Sequence, residues 1–596
     1  MLVVLRRERP QDAILGGASS RRGWDRVHFS PSGRRALKAI DVPILICGGG
    51  PVGLSAAILL ARLDVPSLLV ERHPSTTDHP KARGFFARTM EVFRPWRIEA
   101  SLRAEALPSS AVRFIWVESL SGREIGRVEP PGRAVPGPHS PTYGCMAAQD
   151  ALEAELRRHA ETYPNINLRF STELVAFEQD PDGVTVTVSD RRSGEVHTVG
   201  AAYLIAADGA SSRVREALAI PMLGPGEMAH NINIHFRAEL GPWVRERPAA
   251  VYISSRGHGA LLWAHGTDRW LNVRPFQPAN GERPEDFTPE RCREMVRQAV
   301  GIPDLPVEVI NLAVWTLTAQ VAERFQNGRV FLAGDAAHRF PPTGGFGANT
   351  GVQDAHNLAW KLAAVLHGWA GPQLLETYHE ERRPVAQANT DFSVTNLRRF
   401  AAATQAILSG DEGAVAAALK EQVKHLDSQG QGLGFWYASG AVVPDGTPPP
   451  PADSQEYVPV ARPGSRAPHV WLRSGAGLER CATATRTRSG AGGSAFTSTL
   501  DFFERGFTLL TGPAGNHWRD AGRRAANELQ IPFEAIGIGR GADFEDIEDN
   551  WAALYGLDAE GAVLVRPDGH VAWRSRGGAA APDSIMLTAL RAVLCR

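Results

Sequence analysis

The chain has 596 residues, 43% of them hydrophobic and 22% charged, with a formal net charge of -1. That length implies about two or three domains rather than one core, and with balanced charge and no apolar run of bilayer length, neither nucleic acid nor a membrane is an expected partner. Five scattered cysteines, Cys47, Cys145, Cys292, Cys481 and Cys595, form no C-x-x-C pair, which excludes a disulfide framework and a thiolate zinc site, leaves no expected metal, and points to a reducing cytoplasm.

The first forty residues are Arg-rich and lack the continuous apolar stretch of a secretory signal. They are expected to be a disordered extension without chemistry. Order is expected from Val42 to Arg72, where "VPILICGGGPVGLSAAILLARLDVPSLLVER" reads as strand, glycine turn, helix and second strand. Gly48, Gly50 and Gly53 make G-x-G-x-x-G at that turn. The first glycine permits the tight turn, the second lets backbone approach a pyrophosphate, and the third lets helix and strand pack. Glu71 closes the second strand at the offset of about twenty residues where a carboxylate binds ribose hydroxyls, with Arg72 beside it. The bland alternative is a tight turn followed by a surface glutamate.

From Gln149, "QDALEAELRRHAETY" is an amphipathic helix, followed by strand alternation on both sides of a "PDG" turn. "AAYLIAADGASSRVREAL" returns to a buried strand, a turn and a helix. Between about Glu227 and Leu317, strand-like pieces such as "NINIHFRAEL" and "RWLNVRPF" predict an inserted sheet domain. Next comes a buried strand and "GDAAHRFPPTGGFGANTG", glycine-rich backbone that feeds a helix carrying Val352, Leu358, Leu362 and Val365 at helical spacing. Such a helix start presents unpaired amides and a partial positive charge to a ligand. Around Val443–Pro468 a Pro-rich connector is expected to be extended, and beyond it lies a separate α/β unit.

The GD segment, "YLIAADGASSRVREAL", "KARGFFARTMEVFR" and the N-terminal fingerprint together resemble the FAD-dependent aromatic hydroxylases, single-component flavoprotein monooxygenases of the p-hydroxybenzoate hydroxylase and phenol hydroxylase type, with the texture of bacterial aromatic polyketide hydroxylases. The resemblance implies an α/β fold: a Rossmann-like, glutathione-reductase-type FAD-binding domain over 41–222 and 318–400, and a substrate-binding β-sheet domain over 223–317. A helical segment and linker would span 401–454, and a thioredoxin-like domain without C-x-x-C would span 455–596.

It also implies roles. Asp335 would bond a ribityl hydroxyl of FAD, and Pro342 would offer its carbonyl where oxygen reacts. Ala348 and Asn349 would aim backbone amides at the flavin, with Gly345 in the same loop. Arg83 would reach the pyrophosphate and Gln149 the ribityl region, while Asp208 and Gly209 would meet both the cofactor and the nicotinamide donor. Each has a bland counterpart: Arg83 a solvated charge, Gln149 a helix cap, Asp208 a turn former.

The implied reaction uses FAD, NADPH or NADH, and O2 to hydroxylate a phenolic or quinonoid aromatic, a polyketide natural product being the expected class, through a flavin C4a-hydroperoxide. Epoxidation, Baeyer-Villiger insertion and a non-catalytic aromatic-binding role are the alternatives. The W-x-W-x-I-P stretch of flavin halogenases is absent. A homo-oligomer is left open. Candidate pocket-wall residues are Trp263, Asn272, Arg274 and Phe276. His235 and His265 are candidate phenol bases, with a structural role as the competing reading.

Overall fold

The computed structural model describes residues 3–4, 41–129, 137–474 and 496–596. The expected extension over 1–40 falls outside the described residues except for Val3–Val4, which pair with Phe177 and Ala176 in the first sheet; Cys481 also falls outside them.

Strand Val42–Cys47 runs parallel to Ser67–Val70, which pairs in parallel with Ile166–Arg169. On its other side lies the second half of the long strand Val196–Ala206, with Val330–Leu332 beyond it, all parallel. Ile44, Leu45 and Ile46 have no exposure, as expected for strands covered on both faces. The helices Pro51–Arg62 and Phe346–Leu366 pack against each other and share one hydrophobic core with these strands. The first half of Val196–Ala206 instead joins an antiparallel meander with Val184–Asp190 and Thr172–Gln179. The "PDG" turn closes the hairpin, where Asp180 Oδ1 accepts from the amides of Asp182 and Gly183.

The second sheet has eight strands, in the order His338–Arg339, Glu308–Ala322, Met222–Arg237, Arg269–Phe276, Ala260–His265, Val251–Ser254, Phe114–Val117 and Glu124–Val128. It therefore reaches outside the 223–317 interval, taking a hairpin from before it and a short strand from after it. One face packs on the helix Pro289–Val300, started by Thr288 Oγ1 accepting from Arg291 N and ended at Gly301 with φ +83. Ile232, Ile234, Phe236, Trp270, Cys292 and Val296 form that core. The other face carries the cleft described below and, at the strands Phe114–Val117, Glu124–Val128 and Val251–Ser254, a smaller core with Phe400, Ala403 and Leu419.

The helices Glu376–Ser409 and Glu412–Leu426 follow. In the C-terminal unit, the sheet order is Phe533–Gly537, Phe507–Thr511, Ala562–Val565, Val571–Ser575, with the helices Asn516–Leu529 and Pro582–Val593. The Pro-rich stretch contains neither helix nor strand, but it is not a free spacer: Val443 N donates to Ala572 O at 2.8 Å, and Ala467 N to Gly569 O at 2.9 Å. Nor is the C-terminal unit an independent body, because Phe507, Leu509 and Trp518 share one hydrophobic core with Trp360 and Leu362 of the helix Phe346–Leu366.

Candidate active site

A cleft of about 1720 Å³ runs between the first sheet and the free face of the second. At one end the fingerprint glycines meet their physical requirements. Gly48 has φ +113, and a Cβ there would lie 2.2 Å from Ala207 O; a Cβ on Gly53 would lie 1.9 Å from Gly48 O. Neither position admits a side chain. Gly50 differs, since its Cβ direction meets only Glu153 Oε1 at 3.9 Å. It opens on the cleft, and the helix Pro51–Arg62 that starts after it has no side-chain cap and no acid in its first turn. Free amides and an unopposed dipole therefore face the cavity.

Glu71 also lines the cleft, where its Oε2 accepts from Gly49 N at 2.7 Å and its Oε1 from His73 N at 2.8 Å. Burial raises its pKa, but the hydrogen bonds from His73 and Gly49 outweigh that and lower it, so the carboxylate is held charged. The exposed Arg72 lies on the same rim. Gly49 was not singled out from the sequence; its position between the first two fingerprint glycines was the available signal.

Gln149 is the first residue of its helix and not the cap, which is Ala148. Its Oε1 accepts from Ala82 N at 3.0 Å and its Nε2 donates to Glu153 Oε1 at 2.7 Å, while Glu153 Oε2 accepts from Thr77 N. This helix thereby pins the segment 77–83 along the cleft. The segment delivers Arg83, whose Nε and Nη1 have no protein partner and whose pKa burial pushes down to about 10. A guanidinium held without a counter-charge suits a phosphate. Across the cleft, Asp208 Oδ2 accepts from Val214 N at 3.3 Å while Oδ1 is unpartnered, and burial raises the carboxyl. Gly209, with φ +82, follows it on the wall.

In the glycine-rich loop, Gly334 has φ +62 and a Cβ on it would meet Val52 Cγ2 at 2.8 Å; one on Gly351 would meet the same atom at 2.5 Å. Bare backbone here lets the loop lie directly on the first helix. Asp335 is exposed on the cleft, where the protein atoms around it raise its carboxyl against the opposing charges of His338, Lys81 and Arg339. The loop is held from behind by Asp354, fully buried, which accepts from Gly334 N (3.1 Å) and Arg382 Nε (2.8 Å) and pairs with His338 Nε2 (2.6 Å). Sequence reasoning passed over Asp354, although a charge within a buried helical face was a signal. Pro342 lines the cleft with its carbonyl accepting from Gly345 N at 3.1 Å. Gly345, with φ +72, precedes the helix Phe346–Leu366, which again has no side-chain cap and no acid in its first turn. Ala348 in that first turn reaches the cleft, whereas Asn349 lies behind the wall. Asn349 Oδ1 accepts from Phe86 N and Thr89 Oγ1, and its Nδ2 donates to Gly84 O and Gly345 O. With its side chain saturated, Asn349 ties the segment 84–89 to the loop.

At the second-sheet end, Trp263 lines the cleft with Phe114, Val251, Leu312 and Trp315. The other three expected wall residues do not. Asn272 is fully buried and donates to His258 O and Ala260 O, Phe276 packs on Phe287, and Arg274 Nη1 donates to Met295 O. The two candidate bases also lie off the cleft wall. His235 is buried near Arg269 with its pKa pushed down to about 4, and His265 pairs with Glu105. The cleft instead receives His79, buried, with Nδ1 2.7 Å from Asn311 Oδ1, and His425. Among the described residues no group of three or more His, Cys, Asp or Glu could hold a metal ion.

The uncapped start of the helix Pro51–Arg62 and the unpartnered Arg83 fit a pyrophosphate, and the unpartnered Oδ1 of Asp208, with the Asp335 carboxylate on the same cleft, fits hydroxyl donors. FAD carries both kinds of group, so the residues present fit it. Residues 41–393 match the FAD binding domain family and residues 491–596 the family of the aromatic-ring hydroxylase C-terminal domain. The chain is 39% identical to 4-methyl-5-nitrocatechol 5-monooxygenase of Burkholderia sp, covering 94% of this chain and 98% of that one. It is 37% identical to tetracenomycin A2 monooxygenase-dioxygenase of Streptomyces glaucescens, covering 90% and 93%. A crystal structure of aklavinone-11 hydroxylase with FAD and aklavinone superposes with a TM-score of 0.80 at 34% identity, covering 94% of this chain and all of that one. An FAD-binding segment that carries this cleft, followed by a ring-hydroxylase C-terminal segment, makes the chain a member of the FAD-dependent aromatic-ring hydroxylase family.

Proposed function

We propose that this monooxygenase hydroxylates a multi-ring phenolic or quinonoid compound of the aromatic polyketide class. The observation that carries the reading is the size and two-part character of the cleft. Its volume of about 1720 Å³ exceeds the roughly 300–1,000 Å³ of an ordinary small-molecule site. There is room for a dinucleotide and a bulky aromatic together. The aromatic end is walled by Trp263, Phe114, Leu312 and Trp315, and the names of the tetracenomycin and aklavinone enzymes support a polycyclic occupant.

When bound, FAD supplies the redox chemistry, accepting electrons from NAD(P)H and activating O2. Glu71 would hold ribose hydroxyls, Arg83 and the amides after Gly50 the pyrophosphate, and Asp335 with Asp208 the polyol and the donor's approach. Amides around Ala348 would stabilise negative charge on the reduced ring system, and Pro342 would border the reacting face. The apolar wall excludes water from the substrate. In this reading the first sheet is a Rossmann-like domain of the glutathione-reductase type and the C-terminal unit is thioredoxin-like. That unit has no C-x-x-C with which to exchange disulfides, and the enzyme works in the cytoplasm, either alone or as a homo-oligomer.

The test is NADPH and NADH oxidation under air against phenols, naphthoquinones and polycyclic anthraquinones, with product masses measured. A gain of one oxygen on a polycyclic phenol is expected. Oxidation of cofactor with no oxygenated product from any member of the panel would refute the reading.

A further inference from the structure

The aromatic end of the cleft has one wall that belongs to neither matched segment, formed by residues 425–433 and Gln455. It is delivered by the helix Glu412–Leu426, which starts at Asp411 Oδ1 accepting from Ala414 N at 3.0 Å. The helix lies close on the second sheet because Gly126 has no side chain: a Cβ there would come 2.4 Å from Leu419 Cδ1. Its last turn places His425 against Phe114, edge to face at 5.2 Å. His425 is 7% exposed, and what is exposed faces the cleft.

The hydrogen bonding of the ring decides what it can do. Nδ1 lies 3.4 Å from Gln422 Oε1, and with that amide orientation the tautomer protonated at Nδ1 is the one that makes the hydrogen bond. In that tautomer Nε2 is the acceptor, and the only hydrogen bond of the ring among the described residues is the one at Nδ1. Burial and the charge of Arg399 push the pKa down to about 4, which keeps the imidazole neutral. Ser428, Gln429 and Gln455 continue the polar wall, with Gln455 Nε2 donating to Asp427 Oδ2 at 3.2 Å.

We propose that His425 Nε2 accepts a hydrogen bond from a hydroxyl group of the aromatic substrate, so that the wall 425–433 selects hydroxylated rings over their unsubstituted counterparts. This rests on the aromatic-cleft reading above. A site that offers a buried acceptor penalises a ligand without the matching donor, because the acceptor loses its water and gains nothing.

The FAD-loaded protein is titrated with 2-hydroxyanthraquinone and anthraquinone, and with 2-naphthol and naphthalene, following the change in flavin absorbance. The wild type should bind each hydroxylated member about tenfold more tightly than its partner. In His425→Phe the ratio should fall to near one with FAD content unchanged, and His425→Gln, which restores an acceptor, should recover part of it. His425→Gln also serves if the Phe variant folds poorly, since it must then lie between wild type and no discrimination. Equal affinities in the wild type, or a wild-type ratio in His425→Phe, would overturn the assignment while leaving the aromatic cleft standing. If none of the four compounds changed the wild-type spectrum, the aromatic-cleft reading itself would fall, and this inference with it.

Discussion

Arg566→Met tests how the C-terminal unit is joined to the FAD-binding part. Arg566 is fully buried and donates to Glu381 at 2.6 and 2.8 Å and to Asp568 at 2.5 Å and 3.1 Å. Glu381, on the helix Glu376–Ser409, also accepts from Lys361, Asn357 and Ser439. Two cations and two carboxylates, with no more than 1% side-chain exposure, therefore neutralise one another. Removing Arg566 leaves a net negative charge without water. Breaking a buried pair by deleting one partner costs about 3–5 kcal/mol, and the ring contacts of Arg566 with Trp360 and Tyr437 are lost as well. At roughly 2 °C per kcal/mol, the low end for domains of 150–250 residues, the melting temperature should fall by about 6–10 °C. Flavin fluorescence, released as the protein unfolds, reads this directly. A shift below about 2 °C would show that the cluster is uncoupled from FAD-site stability and would refute the charge argument.

Three further outcomes follow from the cleft and its supports. Gly50→Val should melt near the wild-type temperature yet bind FAD at least about tenfold more weakly, because its side chain has room in the protein and none beside a ligand; Gly53→Ala, aimed at Gly48 O from 1.9 Å, should instead be destabilised by about 1–3 kcal/mol or more. Asp335→Ala should lose its flavin on purification, and a fully yellow variant would contradict the role assigned to that carboxylate. Glu91 is clamped by Arg466 and Arg88, which with their hydrogen bonds outweigh the opposing effect of burial and bring its pKa from 4.5 down to about 2. Its folded value lies below its unfolded one, so its contribution of about 3 kcal/mol is present above pH 4.5 and lost as pH falls toward 2. Urea midpoints of Glu91→Gln and wild type should therefore differ at pH 7 and converge at low pH.

The segments the sequence determined by itself are those whose physics is local. Strand, glycine turn, helix and strand from Val42 to Val70 are adjacent in the chain, so the clash that forbids a side chain at Gly53 and the carboxylate at Glu71 can both be read from spacing. The same holds for the loop from Gly334 and the helix start after Gly345. Tertiary structure decided whatever depends on which face of an element meets which neighbour. Strand alternation marks Asn272, Phe276 and Trp263 alike and puts them on one face of the second sheet, the face packed on the helix Pro289–Val300; only the position of its strand in the folded sheet lets Trp263 also reach the cleft. Long-range partners were equally illegible: His79 meets Asn311 across 232 positions, and Glu381 meets Arg566 across 185. A charge carries no mark of its distant counter-charge, because electrostatic pairing is set by proximity in space and leaves no period in the chain.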